Sequence, residues 1–153
     1  MSEGSWARRL PSGDAPLFVY GTLRFPEVLT ELIGCTMELR PATVPGRRVA
    51  ALPGKIYPGL VHAESGAAQG FLLTGLTRTQ WWVLDEFEDD EYDLSPVCVH
   101  AGKRVSYAWT YAWTEAVESG DWSARDFAAD HLADYVRQCA AWRRELVLLS
   151  GTV

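Results

Sequence analysis

Residues 17 to 20, Leu-Phe-Val-Tyr, form a short unbroken apolar run of the kind a buried strand produces. Gly21-Thr22 turns the chain. Pro26 then opens a helix expected over Pro26 to Ile33, with Val28, Leu29, Leu32 and Ile33 apolar at helical spacing and Gly34 as its stop. Between residues 36 and 51, β-branched residues mix with Pro41, Pro45 and Gly46, which predicts broken strands and turns. Residues 56 to 61 carry the interruption Tyr57-Pro58-Gly59, and residues 69 to 76 read as a further strand. An amphipathic helix follows around Trp81 and Leu84. Residues 93–100 and 104–114 read as a hairpin joined at Ala101-Gly102-Lys103. Its second arm alternates: Val105, Tyr107, Trp109, Tyr111 and Trp113 share one face, and Ser106, Ala108, Thr110, Ala112 and Thr114 the other. Ser123, with Asp126 three residues on, predicts a capping box. It would open a long helix with Phe127, His131, Leu132, Tyr135, Val136, Cys139 and Trp142 on one stripe.

No internal repeat or linker interrupts residues 17 to 149, which reads as one domain behind a Ser/Gly/Pro-rich segment, residues 1–16, expected to be disordered. Irregular strands with three helices imply an α+β domain around a mixed, curled sheet or small barrel. At 153 residues the chain is long enough for a proper core. A net charge of -6 without a Lys/Arg run argues against a nucleic-acid or anionic-membrane partner. Cys35, Cys98 and Cys139 form no CxxC pair, which suggests a reducing compartment. No apolar run is long enough for a spanning helix, and the N-terminus lacks a signal peptide's apolar stretch, so the expected location is cytoplasmic.

Most familiar chemistries find no support. His62, His100 and His131 share no zinc-like spacing with one another or with the cysteines, so no metal is expected. No nucleophile elbow, phosphate loop or dinucleotide fingerprint is present, and no cofactor is expected. Cys98 and His100 alternate along a strand, a poor geometry for a nucleophile and its base. Two features remain. Tyr20-Gly21-Thr22-Leu23 runs a strand into a glycine turn whose backbone N–H groups can meet a carboxylate or oxyanion. Downstream, six of the seven residues from 85 to 91 are acidic. With Trp81 at 0° on the helical wheel, Leu84 falls at about 300°, Phe87 at about 240° and Glu88 at about 340°, while Glu86 lies at about 140°. Glu88 is thus the acid nearest the middle of the apolar arc, provided the helix reaches it. Each feature has a bland counterpart: a structural turn, and a solvated helix end.

Taken in order, Phe18-Val19-Tyr20-Gly21-Thr22-Leu23-Arg24, Tyr57-Pro58-Gly59, Gly70, Leu84-Asp85-Glu86-Phe87-Glu88 and Tyr92 resemble the gamma-glutamylcyclotransferase-like superfamily, and its AIG2-like branch most. Similarity extends over roughly residues 17 to 145 and includes Arg40-Pro41-Ala42 and the terminal helix. The resemblance implies a small mixed β-barrel with flanking helices. It implies that Glu88 is the catalytic base and that Tyr20, Gly21, Thr22 and Leu23 bind the glutamyl part of a small γ-glutamyl substrate, with Tyr92 lining the pocket. The implied reaction is internal cyclisation: the substrate's α-amine attacks its own γ-amide carbonyl, giving 5-oxoproline and a free amine.

One position departs from the family pattern. Leu94 stands where arginine is usual after the tyrosine. If residue 94 lined the leaving-group side, leucine would favour γ-glutamyl amines over γ-glutamyl amino acids; if it points into the core, it says nothing about substrate. Removal of a γ-glutamyl protecting group from a biosynthetic intermediate fits the same chemistry. A non-catalytic metabolite-binding domain would keep the pocket without the turnover. A purely structural interaction domain leaves the conjunction of loop and acid unexplained. The released amine, the pathway and the oligomeric state are not encoded in the pattern.

Overall fold

The computed structural model describes residues 15–150, with side chains through residue 146. Apart from Ala15 and Pro16, the segment expected to be disordered lies outside the described residues. Five strands, β1 Leu17–Val19, β2 Leu39–Ala50, β3 Gly59–Leu73, β4 Tyr92–Ala101 and β5 Arg104–Trp113, close into a barrel in the order β1-β3-β2-β4-β5. Most neighbours are antiparallel; closure uses parallel pairing of Leu17 with Trp109 and of Leu60 with Ala112. Around the barrel lie α1 Pro26–Ile33, α2 Arg78–Phe87, α3 Ala124–Asp130 and α4 Leu132–Ser150. The fold is the mixed barrel with flanking helices that the resemblance implied.

The period-two pleat sorts the apolar residues into two cores. Phe18, Tyr20, Val44, Leu60, Leu72, Val97, Val99 and Ala108, all on or beside strands, fill the barrel. Leu17, Val19, Leu73, Tyr111 and Trp113 point the other way, against Val28, Leu32, Trp81 and Leu84 from the helices. The alternation read in β5 is a division of labour: small Ala108 goes inside a narrow barrel, and the aromatic face goes under the helices. That face runs out into solvent at Val105 and Tyr107, which are 60% and 75% exposed. Leu17, Val28, Leu32, Leu73 and Leu84 are fully buried, each contributing about 1.5–3 kcal/mol. This packing holds α2 in place and with it the acidic segment at its end.

The prolines between residues 36 and 51 do not break the strand. β2 runs twelve residues as one element, with Pro41 opposite Phe71 and a register shift between Pro45 and Arg47. Across the shift Gly46 alone on β2 stands against residues 63–66 on β3, so the extra residues of this local irregularity lie on β3. β3 begins at Gly59, as the Tyr57-Pro58-Gly59 interruption ends, and runs to Leu73 through residues 62–68, which the pattern assigns to no element. The long C-terminal helix is two: Ser123 caps α3 by accepting from the Asp126 N–H at 3.1 Å, and the helical run breaks at His131 before α4. No helix among the described residues is long and apolar enough to cross a membrane.

Candidate active site

Beyond β1 the backbone folds into a single 3-10 turn, Thr22–Arg24, whose hydrogen bond runs from the Arg24 N–H to the Gly21 carbonyl at 3.1 Å. The N–H groups of Thr22 and Leu23 precede that bond, so the turn itself does not use them. Gly21 is required by close approach. A Cβ there would lie 2.9 Å from Pro58 Cγ and 3.0 Å from Pro58 Cδ. Gly59 faces a tighter limit, since its Cβ would sit 2.5 Å from Trp113 Cβ. The glycines of the two motifs therefore let the loop, the Tyr57-Pro58-Gly59 segment and the barrel end press together.

Helix α2 approaches from the other side. It begins in a capping box: Gln80 N–H donates to Thr77 Oγ1 at 3.1 Å, and Thr77 N–H to Gln80 Oε1 at 2.9 Å. It ends at Phe87, and Glu88 is its C-cap in extended conformation, with its N–H donating to the Leu84 carbonyl at 3.1 Å. The helical wheel thus stops one residue short of Glu88. The residue is half-buried nonetheless, because the extended cap takes the chain along the barrel end instead of out into water.

Loop and acid meet at a cavity of about 260 Å³. Tyr20, Gly21, Thr22, Leu23, Glu88 and Tyr92 all line it. The site residues proposed from sequence are therefore brought together. Other lining residues are Tyr57, Pro58, Phe87, Asp89 and Tyr111, with Tyr135, Gln138, Cys139 and Trp142 contributed by α4. Leu94 and Arg24 are absent from this lining. Leu94 packs against the core beneath the helices, and Arg24 lies over the Phe71 ring with its guanidinium carbon 5.0 Å from the ring centroid. The substitution at Leu94 thus gives no direct argument about substrate choice.

Hydrogen bonds fix the phenols of this cavity. Tyr92 OH donates to the Pro58 carbonyl at 2.6 Å, and Tyr20 OH to the Tyr111 carbonyl at 2.5 Å. Tyr111 OH in turn donates to Asp85 Oδ1 at 3.0 Å. Asp85, 6% exposed, is the buried carboxylate that orients this wall, a role that pattern reading did not assign. Its signal was its place on the wheel, at about 40° from Trp81. Tyr57 OH donates to Asp89 Oδ2 at 2.5 Å, and Thr22 Oγ1 lies 3.2 Å from Tyr135 OH, which links the loop to α4. Burial, and to a smaller degree the charge of Glu88, raises the pKa of Tyr20, Tyr92 and Tyr135 above the ordinary phenol value. All three remain protonated donors at neutral pH. Burial also raises the Cys139 thiol to about 12, which makes it a poor nucleophile. Among the described residues no cluster of three or more His, Cys, Asp and Glu side chains is placed to hold a metal ion.

Glu88 and the turn at Gly21–Leu23 line one cavity beside the small barrel, and the chain that builds this site is similar to known proteins. Residues 17–124 match the family model described as gamma-glutamyl cyclotransferase, AIG2-like. The chain belongs to that family. It is 28% identical over 139 residues to AIG2-like protein D of Arabidopsis thaliana, covering 86% of this chain and 91% of that protein. A solution structure of an Arabidopsis thaliana protein superposes with a TM-score of 0.65 at 26% identity, over 85% of this chain and 91% of the other. A structure titled gamma-glutamyl cyclotransferase superposes with a TM-score of 0.60 over 84% of this chain and 88% of its own; at 14% identity it speaks for the fold alone. The family match contains the turn at Gly21, the acid at Glu88 and Tyr92. Helix α4, which contributes Tyr135, Gln138, Cys139 and Trp142 to the cavity lining, lies beyond it.

Proposed function

We propose that this protein is a gamma-glutamyl cyclotransferase, converting a small γ-glutamyl compound to 5-oxoproline and a free amine. The observation that carries the reading is the convergence of Glu88 and the Gly21-Thr22-Leu23 turn on one cavity. In this reading the amides of Thr22 and Leu23 hold the substrate's α-carboxylate, and Glu88 faces its α-ammonium. Glu88 takes a proton from the ammonium. The freed amine attacks the γ-carbonyl carbon, the new ring C–N bond forms, and the old amide C–N bond breaks. Glu88 then returns the proton to the departing amine as the amide bond breaks, takes the surplus proton from the new ring nitrogen and passes it on, so the amine leaves as ammonium and no water is consumed.

The chemistry suits the equipment. Nucleophile and electrophile belong to one molecule, and holding its folded conformer is worth about 7–11 kcal/mol of barrier when the geometry is right. The protonated phenols of Tyr20, Tyr92 and Tyr135 surround the acid without competing for its role as base. Incubation with a panel of γ-glutamyl compounds, read by mass spectrometry for 5-oxoproline, tests the proposal. Catalytic formation of 5-oxoproline with equimolar amine supports it. Saturable binding of the same compounds with no turnover would instead make the protein a metabolite-binding module.

A further inference from the structure

Helix α4 reaches the turn at Gly21 through one hydroxyl. Tyr135 OH lies 3.2 Å from Thr22 Oγ1, and both residues line the cavity. Rings on two sides fix the phenol in place. Tyr135 meets Phe127 edge to face with ring centroids 5.3 Å apart, and meets Phe87, the neighbour of Glu88, likewise at 6.3 Å. Phe127 in turn stacks at 5.4 Å on Phe25, the residue that follows the 3-10 turn. Turn, Phe25, Phe127 and Tyr135 thus form a circuit that closes on Thr22. Arg143 Nε, donating to the Leu32 carbonyl at 2.9 Å, ties α4 to α1.

Two hydroxyls carry two hydrogens, and the contact between them uses one. Among the described residues neither oxygen has a second hydrogen-bond partner, so one hydrogen is left for a ligand. A phenol is a stronger donor than an aliphatic alcohol. The arrangement that serves an anion best therefore has Thr22 donating to the phenol oxygen and the phenol donating onward, each bond strengthening the other. Burial raises the pKa of Tyr135, so the phenol keeps its hydrogen at neutral pH. The charged side chains in the described lining are Glu88 and Asp89, both acidic, so a carboxylate beside them is best held by neutral donors. It has room for more of them than the two turn amides supply.

We propose that Tyr135 is a substrate-binding residue, its O–H donating to the same α-carboxylate that the amides of Thr22 and Leu23 hold, with the Thr22 hydroxyl donating to the phenol oxygen behind it. The assignment rests on the cyclotransferase reading for the ligand and extends the site that receives it. Thr22 then serves twice, through its N–H and through its hydroxyl. The third donor comes from α4, outside residues 17–124, which carry the family match.

The test uses 5-oxoproline, which retains the α-carboxylate, and 5-oxoprolinamide, its uncharged counterpart. Dissociation constants of both are measured by titration calorimetry for wild type, Tyr135→Phe and Thr22→Val. Tyr135→Phe keeps the ring and removes only the donor. It should weaken 5-oxoproline by about 10–100-fold, the scale of a hydrogen bond to a charged group, and change the amide little. Thr22→Val keeps the shape and removes the hydroxyl behind the phenol, so it should weaken 5-oxoproline less. Equal weakening of both ligands by Tyr135→Phe makes Tyr135 a packing residue and overturns the inference. A larger loss in Thr22→Val than in Tyr135→Phe also overturns it, since threonine is then the direct donor. So does a wild type that binds neither ligand or does not distinguish them. The readout is binding, so it separates from the reaction. The expected pattern in a protein that forms no 5-oxoproline from any γ-glutamyl compound would sink the cyclotransferase reading and leave this carboxylate site standing.

Discussion

Gly21→Ala is the substitution whose consequence the geometry states most sharply. The added methyl would lie 2.9 Å from Pro58 Cγ and 3.0 Å from Cδ, inside normal carbon–carbon contact. Pro58 has little freedom to yield. Its carbonyl is held by Tyr92 OH at 2.6 Å, and the next residue, Gly59, is pressed against Trp113. Overpacking of this kind costs about 1–3 kcal/mol. Any relief must come from the 3-10 turn, and displacement approaching 1 Å at a substrate-positioning group costs about 100-fold in rate. Gly21→Ala should therefore lose stability modestly and activity severely.

Pro58→Ala removes the two ring carbons and keeps the carbonyl. By itself it should cost about 0.4–1 kcal/mol through unfolded-chain entropy. Combined with Gly21→Ala it should restore part of the lost stability. A double-mutant cycle from urea unfolding, followed by tryptophan fluorescence, should give a favourable coupling of about 0.5–3 kcal/mol. Zero coupling, or a Gly21→Ala protein as stable and active as wild type, would show that the close approach of loop and Pro58 does not shape the site.

Tyr92→Phe removes the donor from the buried Pro58 carbonyl and should cost about 1–3 kcal/mol in urea unfolding, with an unchanged midpoint contradicting that role. Alkaline pH should destabilise the fold. The folded-state values of Tyr20, Tyr92 and Tyr135 lie above the ordinary value of 10.0, and Cys139 is raised from 9.0 to about 12, so each group favours the folded state while protonated. Their contribution is complete below the unfolded values and is lost as pH rises through about 9 and beyond. Tyrosinate absorbance from these three residues should thus appear together with loss of circular dichroism; full tyrosine ionisation within a native spectrum would contradict this.

What the sequence disclosed follows from how local each signal is. Helix α1 was legible to the residue because Pro26 and Gly34 punctuate it, and the β4–β5 hairpin because its alternation is sustained and its turn is short. The long strands β2 and β3 were not, since their pairing with each other overrides the proline and glycine signals within them. The capping box at Thr77 and Gln80 was readable as a Thr-x-x-Gln motif but did not enter the helix assignment. Glu88 stood out on a helical wheel although the helix ends before it. The apolar packing of α2 carries the acid to the right place, and the extended cap completes the turn inward. Tyr135, Cys139 and Trp142 formed a clear stripe, but a stripe facing a cavity has the same period as one facing a core. Only the packing of α4 against α1 and α3, with these residues on the cavity, distinguishes the two.

The central claim is that Glu88 is the base of a γ-glutamyl cyclisation. The most direct measurement is the rate of 5-oxoproline formation by wild type and by Glu88→Gln, which keeps the side chain's size and removes its basicity, with folding of both checked by circular dichroism. The account predicts steady turnover by wild type and a loss of roughly two to four orders of magnitude in the folded variant. A folded Glu88→Gln protein that forms 5-oxoproline at near wild-type rate would contradict it.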